Sequence, residues 1–169
     1  TDDEGRARHI VHNDVSPENI FFARHGEVKL ADFGVAVDAT RAADPFPEGL
    51  KGKLAYMSPE RVAGQRPSPQ SDVYAVGVVL WECLAQRRLF VGEQGQGLAK
   101  KVMKGVDIPP SYFVDDVPKA LDALVMHTLS REPGERPKSA QALQEQLMQQ
   151  LAILQPQAGL ASVRQALES

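Results

Sequence analysis

Apolar residues change their rhythm along this chain. Up to about residue 60 they gather in short runs, Ile20-Phe21-Phe22 and Val28-Lys29-Leu30-Ala31, set among Gly, Pro, Asn and Asp; beyond it they recur at helical spacing. The two runs flank Ala23-Arg24-His25-Gly26-Glu27, where Gly26 suits a positive φ, and together they predict a β-hairpin. A turn centred between His25 and Gly26 pairs Ile20 with Ala31 and brings Asn19 close to Asp32. Residues 35–51, rich in Asp, Ala, Pro and Gly, read as a long surface loop.

Downstream, Ser71 and Asp72 stand where they can cap a helix running to about Gln86. Its Val73, Val76, Val78, Val79, Leu80, Trp81 and Leu84 leave no polar face, which predicts a helix buried all round. A short helix is expected over 97–104. A longer one over 118–130 carries Leu121, Leu124, Val125 and Leu129 on one stripe. The last, over about 138–154, is built on Ala140, Leu143, Leu147, Leu151 and Leu154. The expected fold is mainly α, of α+β type: a helical bundle around a buried central helix, with a small β-hairpin. One domain is expected over 1–154, with 155–169 as a linker or short helix.

Composition narrows the functions. With 43% hydrophobic and 24% charged residues the chain is a globular domain and not a disordered tail. A formal net charge of −3 without Lys/Arg runs argues against nucleic acid or an anionic membrane as partner. Cys83 alone cannot form an internal disulfide, and no His/Cys cluster has zinc spacing, so a reducing, cytoplasmic setting is expected. The most apolar stretch, 73–85, is shorter than the roughly 20 residues of a membrane span, and residues 1–15 hold no apolar signal core.

The chemistry sits in the first third. If the hairpin sets Asn19 beside Asp32, a carboxamide oxygen and a carboxylate meet, the hard oxygen donors that Mg²⁺ prefers alongside phosphate and water. Asp14, five residues before Asn19, faces the same place and can orient a hydroxyl. Phosphoryl transfer asks for little else: positioned metals, a carboxylate that accepts the hydroxyl proton, and an in-line arrangement. Cys83, Met126, His127 and Trp81 fall on helix faces and read as packing residues. The segment 92–97, the one Gly-rich stretch, follows no strand and reads as a loop.

These residues carry a family resemblance. His12-Asn13-Asp14-Val15-Ser16-Pro17-Glu18-Asn19 resembles a protein-kinase catalytic loop, and Asp32-Phe33-Gly34 its metal-binding triplet. Residues 52–60, ending Tyr56-Met57-Ser58-Pro59-Glu60, resemble the end of an activation segment, and Asp72-Val73-Tyr74-Ala75-Val76-Gly77 the start of the central helix. The resemblance implies Asp14 as catalytic base, Asn19 and Asp32 as Mg²⁺ ligands, and Phe33 and Gly34 beside the ATP-Mg²⁺ site. It implies structural roles for His12, for Glu60 paired with Arg136, and for Asp72 beneath the catalytic loop. Ser/Thr proteins are the implied substrates, and the bacterial eukaryotic-like branch is the one resembled. The Gly-rich loop, strand Lys and hinge of an N-lobe cannot be found in the 169 residues. The resemblance therefore implies a C-lobe alone, inactive without its missing kinase N-lobe and with apolar surface exposed where that lobe sits.

Three departures stand out. Asn13 occupies a position that is usually Arg, and between Val35 and Lys51 the only hydroxyl is Thr40, so activity is not expected to be gated by loop phosphorylation. Ser16 stands where a Lys usually contacts the transferred phosphate, and Lys53 stands where a Thr usually follows the glycine. Lys53 is accordingly expected to supply the phosphate-facing charge, with the hydroxyl of Ser16 across the site. A kinase-derived binding scaffold and a small-molecule phosphotransferase stay open beside the kinase reading.

Overall fold

The computed structural model describes residues 10–24, 26–33, 37–38 and 53–154. Gly34, Thr40 with most of the predicted loop, and the expected linker at 155–169 lie outside the described residues. Strands β1 (Ile10–Val11) and β4 (Val37–Asp38) pair antiparallel, Ile10 opposite Asp38 and Val11 opposite Val37. Part of the predicted loop is thus a strand. Strands β2 (Ile20–Phe22) and β3 (Val28–Leu30) form the expected hairpin.

Its register corrects the prediction by one residue, since Ile20 pairs with Leu30 and not with Ala31. Ala23 N–H donates to the Glu27 carbonyl at 2.8 Å and Gly26 N–H to the Ala23 carbonyl at 2.9 Å, closing a five-residue turn with Gly26 at φ 83°. An odd-numbered turn centres on a residue and not on a peptide bond. Ala31 then lies opposite Asn19, whose carbonyl accepts its N–H at 2.9 Å, and Asp32 follows directly.

The helices are α1 (Pro59–Val62), α2 (Pro69–Ala85), α3 (Gln96–Lys104), α4 (Lys119–Thr128) and α5 (Ala140–Leu154). Helix α2 starts earlier than predicted because Ser68 caps it. Ser68 Oγ accepts from Ser71 N–H at 3.3 Å while Ser71 Oγ accepts from Ser68 N–H at 3.0 Å, a reciprocal capping box with Pro69 at the first helical position. Capping is thereby taken off Asp72, whose carboxylate is left for another task. At the far end Gln86 takes the left-handed conformation, φ 54°, and stops the helix where predicted.

Tyr74, Val78, Trp81 and Ala85 of α2 pack with Val125 and Leu129 next to it, and Val73 packs with Leu124 and Leu143. At Gly77 the approach is closest: a Cβ there would lie 2.1 Å from Thr128 Oγ1, so only glycine fits. The helix is not buried all round, however. Cys83 is exposed, and Val79, Glu82 and Cys83 line an open cavity of about 420 Å³ with Pro17, Ile20 and Phe22. Of the other residues read as packing, Trp81 and Met126 join the core, whereas His127 is exposed. Among the described residues no helix is long and apolar enough to cross a membrane.

One buried ion pair ties α1 to the segment before α5. Arg136 donates to both Glu60 oxygens, at 2.8 and 2.7 Å, and to the carbonyls of Ser130, Gln70 and Arg131 at 2.7, 3.0 and 2.9 Å. All five guanidinium N–H groups are therefore engaged, over the face of Tyr74 at 4.9 Å. Burial pushes the Glu60 carboxyl up, but its hydrogen bonds, led by those from Arg136, hold it below its ordinary value of 4.5. A depressed carboxylate adds stability above that value and loses it as pH falls through the folded one. Arg136→Ala should lower stability by about 3–5 kcal/mol at pH 7, because Glu60 stays buried and unpaired. In urea titrations the deficit should narrow below a pH of about 4.5.

Candidate active site

The site is hung from α2. Asp72 Oδ2 accepts His12 N–H at 2.7 Å and Asp72 Oδ1 accepts Asn13 N–H at 2.9 Å, so one carboxylate grips two successive peptides of the loop. Burial pushes the Asp72 carboxyl above its usual range, against the two backbone donors that pull it down. Between those peptides the chain turns through a left-handed residue, Asn13 at φ 63°. Asn visits that region far more readily than Arg does, so the residue that departs from the family pattern suits the backbone it sits on.

His12 is buried and bridges loop and hairpin. Its Nε2 lies 3.0 Å from the Ala31 carbonyl, which can only accept, so Nε2 carries the proton and Nδ1 accepts Asp14 N–H at 3.3 Å. The ring meets Phe33 edge to face at 4.6 Å. The structural role expected of His12 has this physical content: it fixes the end of β3 against the loop that carries Asp14.

Asp14 and Asn19 form the centre, both buried. Asn19 Nδ2 donates to the Asp14 carbonyl at 2.7 Å and to Asp14 Oδ2 at 2.9 Å, and Lys53 Nζ also meets Oδ2. Both amide hydrogens of Asn19 point at Asp14, which turns its carboxamide oxygen the other way. Asp32 follows the residue opposite Asn19, is exposed, and holds φ 62°, a conformation Asp tolerates better than most side chains. The donor set is oxygen only, which fits Mg²⁺. Among the described residues no group of three or more His, Cys, Asp or Glu could hold a metal by itself. Two protein ligands are consistent with a metal whose other ligands are phosphate and water.

Ser16 is 2% exposed, and its Oγ has no hydrogen-bond partner among the described residues. No hydrogen bond joins it to Lys53. Lys53 itself opens a one-turn 3₁₀ helix, Lys53–Tyr56. That turn is fastened by a group the sequence analysis passed over: Glu82, whose Oε2 accepts from Tyr56 Oη at 2.9 Å and from Arg88 Nη1 at 2.9 Å, while Oε1 accepts Leu89 N–H at 3.0 Å. Burial and the Glu82 hydrogen bond push the Tyr56 phenol up. A lone carboxylate in the otherwise apolar run 73–85 was the signal available for it.

The protein kinase domain profile matches residues 6–148, most of the chain. The chain belongs to the protein kinase family. The tyrosine-protein kinase MasK of Myxococcus xanthus is 31% identical over 147 residues, 87% of this chain and 23% of the relative. The serine/threonine-protein kinase PknL of Mycobacterium tuberculosis is 40% identical over 136 residues, 79% of this chain and 34% of the relative. PrkC of Bacillus subtilis, also a serine/threonine-protein kinase, is 29% identical over 135 residues, 80% of this chain and 21% of the relative. The chain spans only about a fifth to a third of these relatives. PknL and PrkC fit the bacterial eukaryotic-like Ser/Thr branch that the motifs resemble.

Asp72→Ala should leave the His12 and Asn13 N–H groups without their partner and cost about 1–3 kcal/mol in urea titrations. Amide hydrogen exchange should speed up most at His12 and Asn13; unchanged exchange there would show that the loop holds its shape without α2.

Proposed function

We propose that this chain is the C-lobe part of a protein kinase that transfers the γ-phosphoryl group of Mg-ATP to Ser or Thr hydroxyls of protein substrates. The carrying observation is the clamp of Asn19 on Asp14, which presents a carboxylate to the acceptor and an amide oxygen to the metal side. Asp14 receives the proton of the acceptor hydroxyl as its oxygen bonds to the γ-phosphorus and the bond to the bridging oxygen of ADP breaks. Magnesium, held by Asn19 and Asp32, would neutralise phosphate charge. Tyr56 to Glu60 and Pro17-Glu18-Asn19 favour Ser/Thr over Tyr, as do the names of PknL and PrkC, although MasK is named for tyrosine.

Residues 1–154 form the catalytic domain in this reading, with its missing half on the hairpin side. There Ile10, Phe21, Phe22, Val28 and Phe33 are between 55 and 60% exposed. Apolar surface of this density is ordinarily covered. An N-lobe seated on it would enclose ATP between the two halves, and the chain by itself would be inactive.

In the complete gene product, Asp14→Asn should lower kcat for a Ser/Thr substrate by about 10²–10⁴-fold. Asn19→Ala should raise the Mg²⁺ concentration for half-maximal rate. Transfer that persists in Asp14→Asn would refute the assignment of the base, and radiolabel on tyrosine alone would refute the acceptor class.

A further inference from the structure

Within this phosphotransfer reading, we infer that Lys53 is the cation of the reaction centre, brought to Asp14 from outside the catalytic loop. Residues 12–19 contain no Lys or Arg, and the ring nitrogens of His12 are spent on the Ala31 carbonyl and the Asp14 N–H. The loop therefore has no Lys or Arg charge of its own to aim at the site. Ser16 cannot replace one: its hydroxyl is neutral and sealed in the interior at 2% exposure.

Lys53 meets Asp14 directly, on the oxygen that also accepts from Asn19. Among the described residues, Lys29 pairs with Glu27 at 3.3 Å, Arg88 with Glu82 at 2.9 Å, and Arg136 with Glu60 at 2.7 Å, so these three cations have carboxylates of their own. The Lys53 side chain is 36% exposed, so the ammonium lies at the mouth of the site and not in the core. Its segment is held by the Tyr56–Glu82–Arg88 cluster, which fixes the direction of approach.

The chemistry asks for a charge at this place. The acceptor oxygen must come between a carboxylate and a phosphoryl group that are both negative. As the new O–P bond forms, the bond from phosphorus to the bridging oxygen breaks, its electron pair leaves on ADP, and the hydroxyl proton passes to Asp14. Lys53 forms and breaks no covalent bond. Its ammonium offsets the repulsion between the Asp14 carboxylate and the phosphoryl oxygens, and it does so more strongly as charge spreads over them.

Two measurements test this. In the complete gene product Lys53→Met, which keeps length and removes charge, should lower kcat about 10²–10³-fold with KM for ATP almost unchanged. Lys53→Arg should recover part of that loss. A kcat within about threefold of wild type in Lys53→Met, or a rise in KM alone, would overturn the assignment. Independently of activity, the complete gene product can be reductively methylated with ¹³C-formaldehyde and its lysine methyl signals followed by NMR. The Lys53 signal should move on Asp14→Asn, and an unmoved signal overturns the contact. Should the gene product show no transfer that Asp14→Asn abolishes, the kinase reading itself fails, and the NMR comparison still decides whether Lys53 sits on that carboxylate.

Discussion

The loop that carries Asp14 is positioned by one carboxylate, that of Asp72, which accepts the N–H groups of His12 and Asn13 from the first turn of the central helix α2. A short loop with a left-handed residue in it would not keep its shape alone; fixing it costs about 1–2 kcal/mol per residue in backbone entropy. The core around Tyr74, Val78 and Trp81 holds α2, α2 holds Asp72, and Asp72 holds the loop. His12 passes the constraint to the hairpin through Ala31, and Asn19 passes it to Asp14. The geometry is thus inherited from hydrophobic burial several residues away from any reacting atom.

The same logic explains why Asp72 is available. Ser68 and Ser71 cap α2 reciprocally, so the acid in its first turn need not. Read from sequence, Ser71 and Asp72 looked like the caps themselves, because Ser and Asp are interchangeable candidates for that task and the pattern does not say which one points inward. The family resemblance set Asp72 beneath the loop, and the structure supplies the contact, to peptides 59 and 60 residues upstream. Glu82 escaped because its partners Tyr56 and Arg88 come from different segments, and helical periodicity is silent about them.

Much of the rest was legible. Helical spacing located α2 to α5 to within two or three residues, since a buried stripe cannot shift without turning apolar groups to water. The hairpin was found but its register was off by one, because turn geometry and not strand composition sets register. The pairing of Glu60 with Arg136 came from the family resemblance, and the structure adds its physical form, a guanidinium with every donor engaged. Motif order also placed Asp14 and Asn19, and the structure shows them hydrogen-bonded together. For Asp32 it shows the backbone position across the hairpin. Burial of Ser16 was not readable, since a serine beside a proline is as often a surface turn as an interior residue.

The account depends on the orientation of the Asn19 amide: hydrogens toward Asp14, oxygen toward a metal shared with Asp32. Crystals of the complete gene product grown with Mn²⁺ and a non-hydrolysable ATP analogue would locate that metal by its anomalous signal. The metal is predicted within coordination distance of Asn19 Oδ1 and the Asp32 carboxylate. Manganese bound elsewhere, or an Asn19 side chain turned away from Asp14, would contradict it.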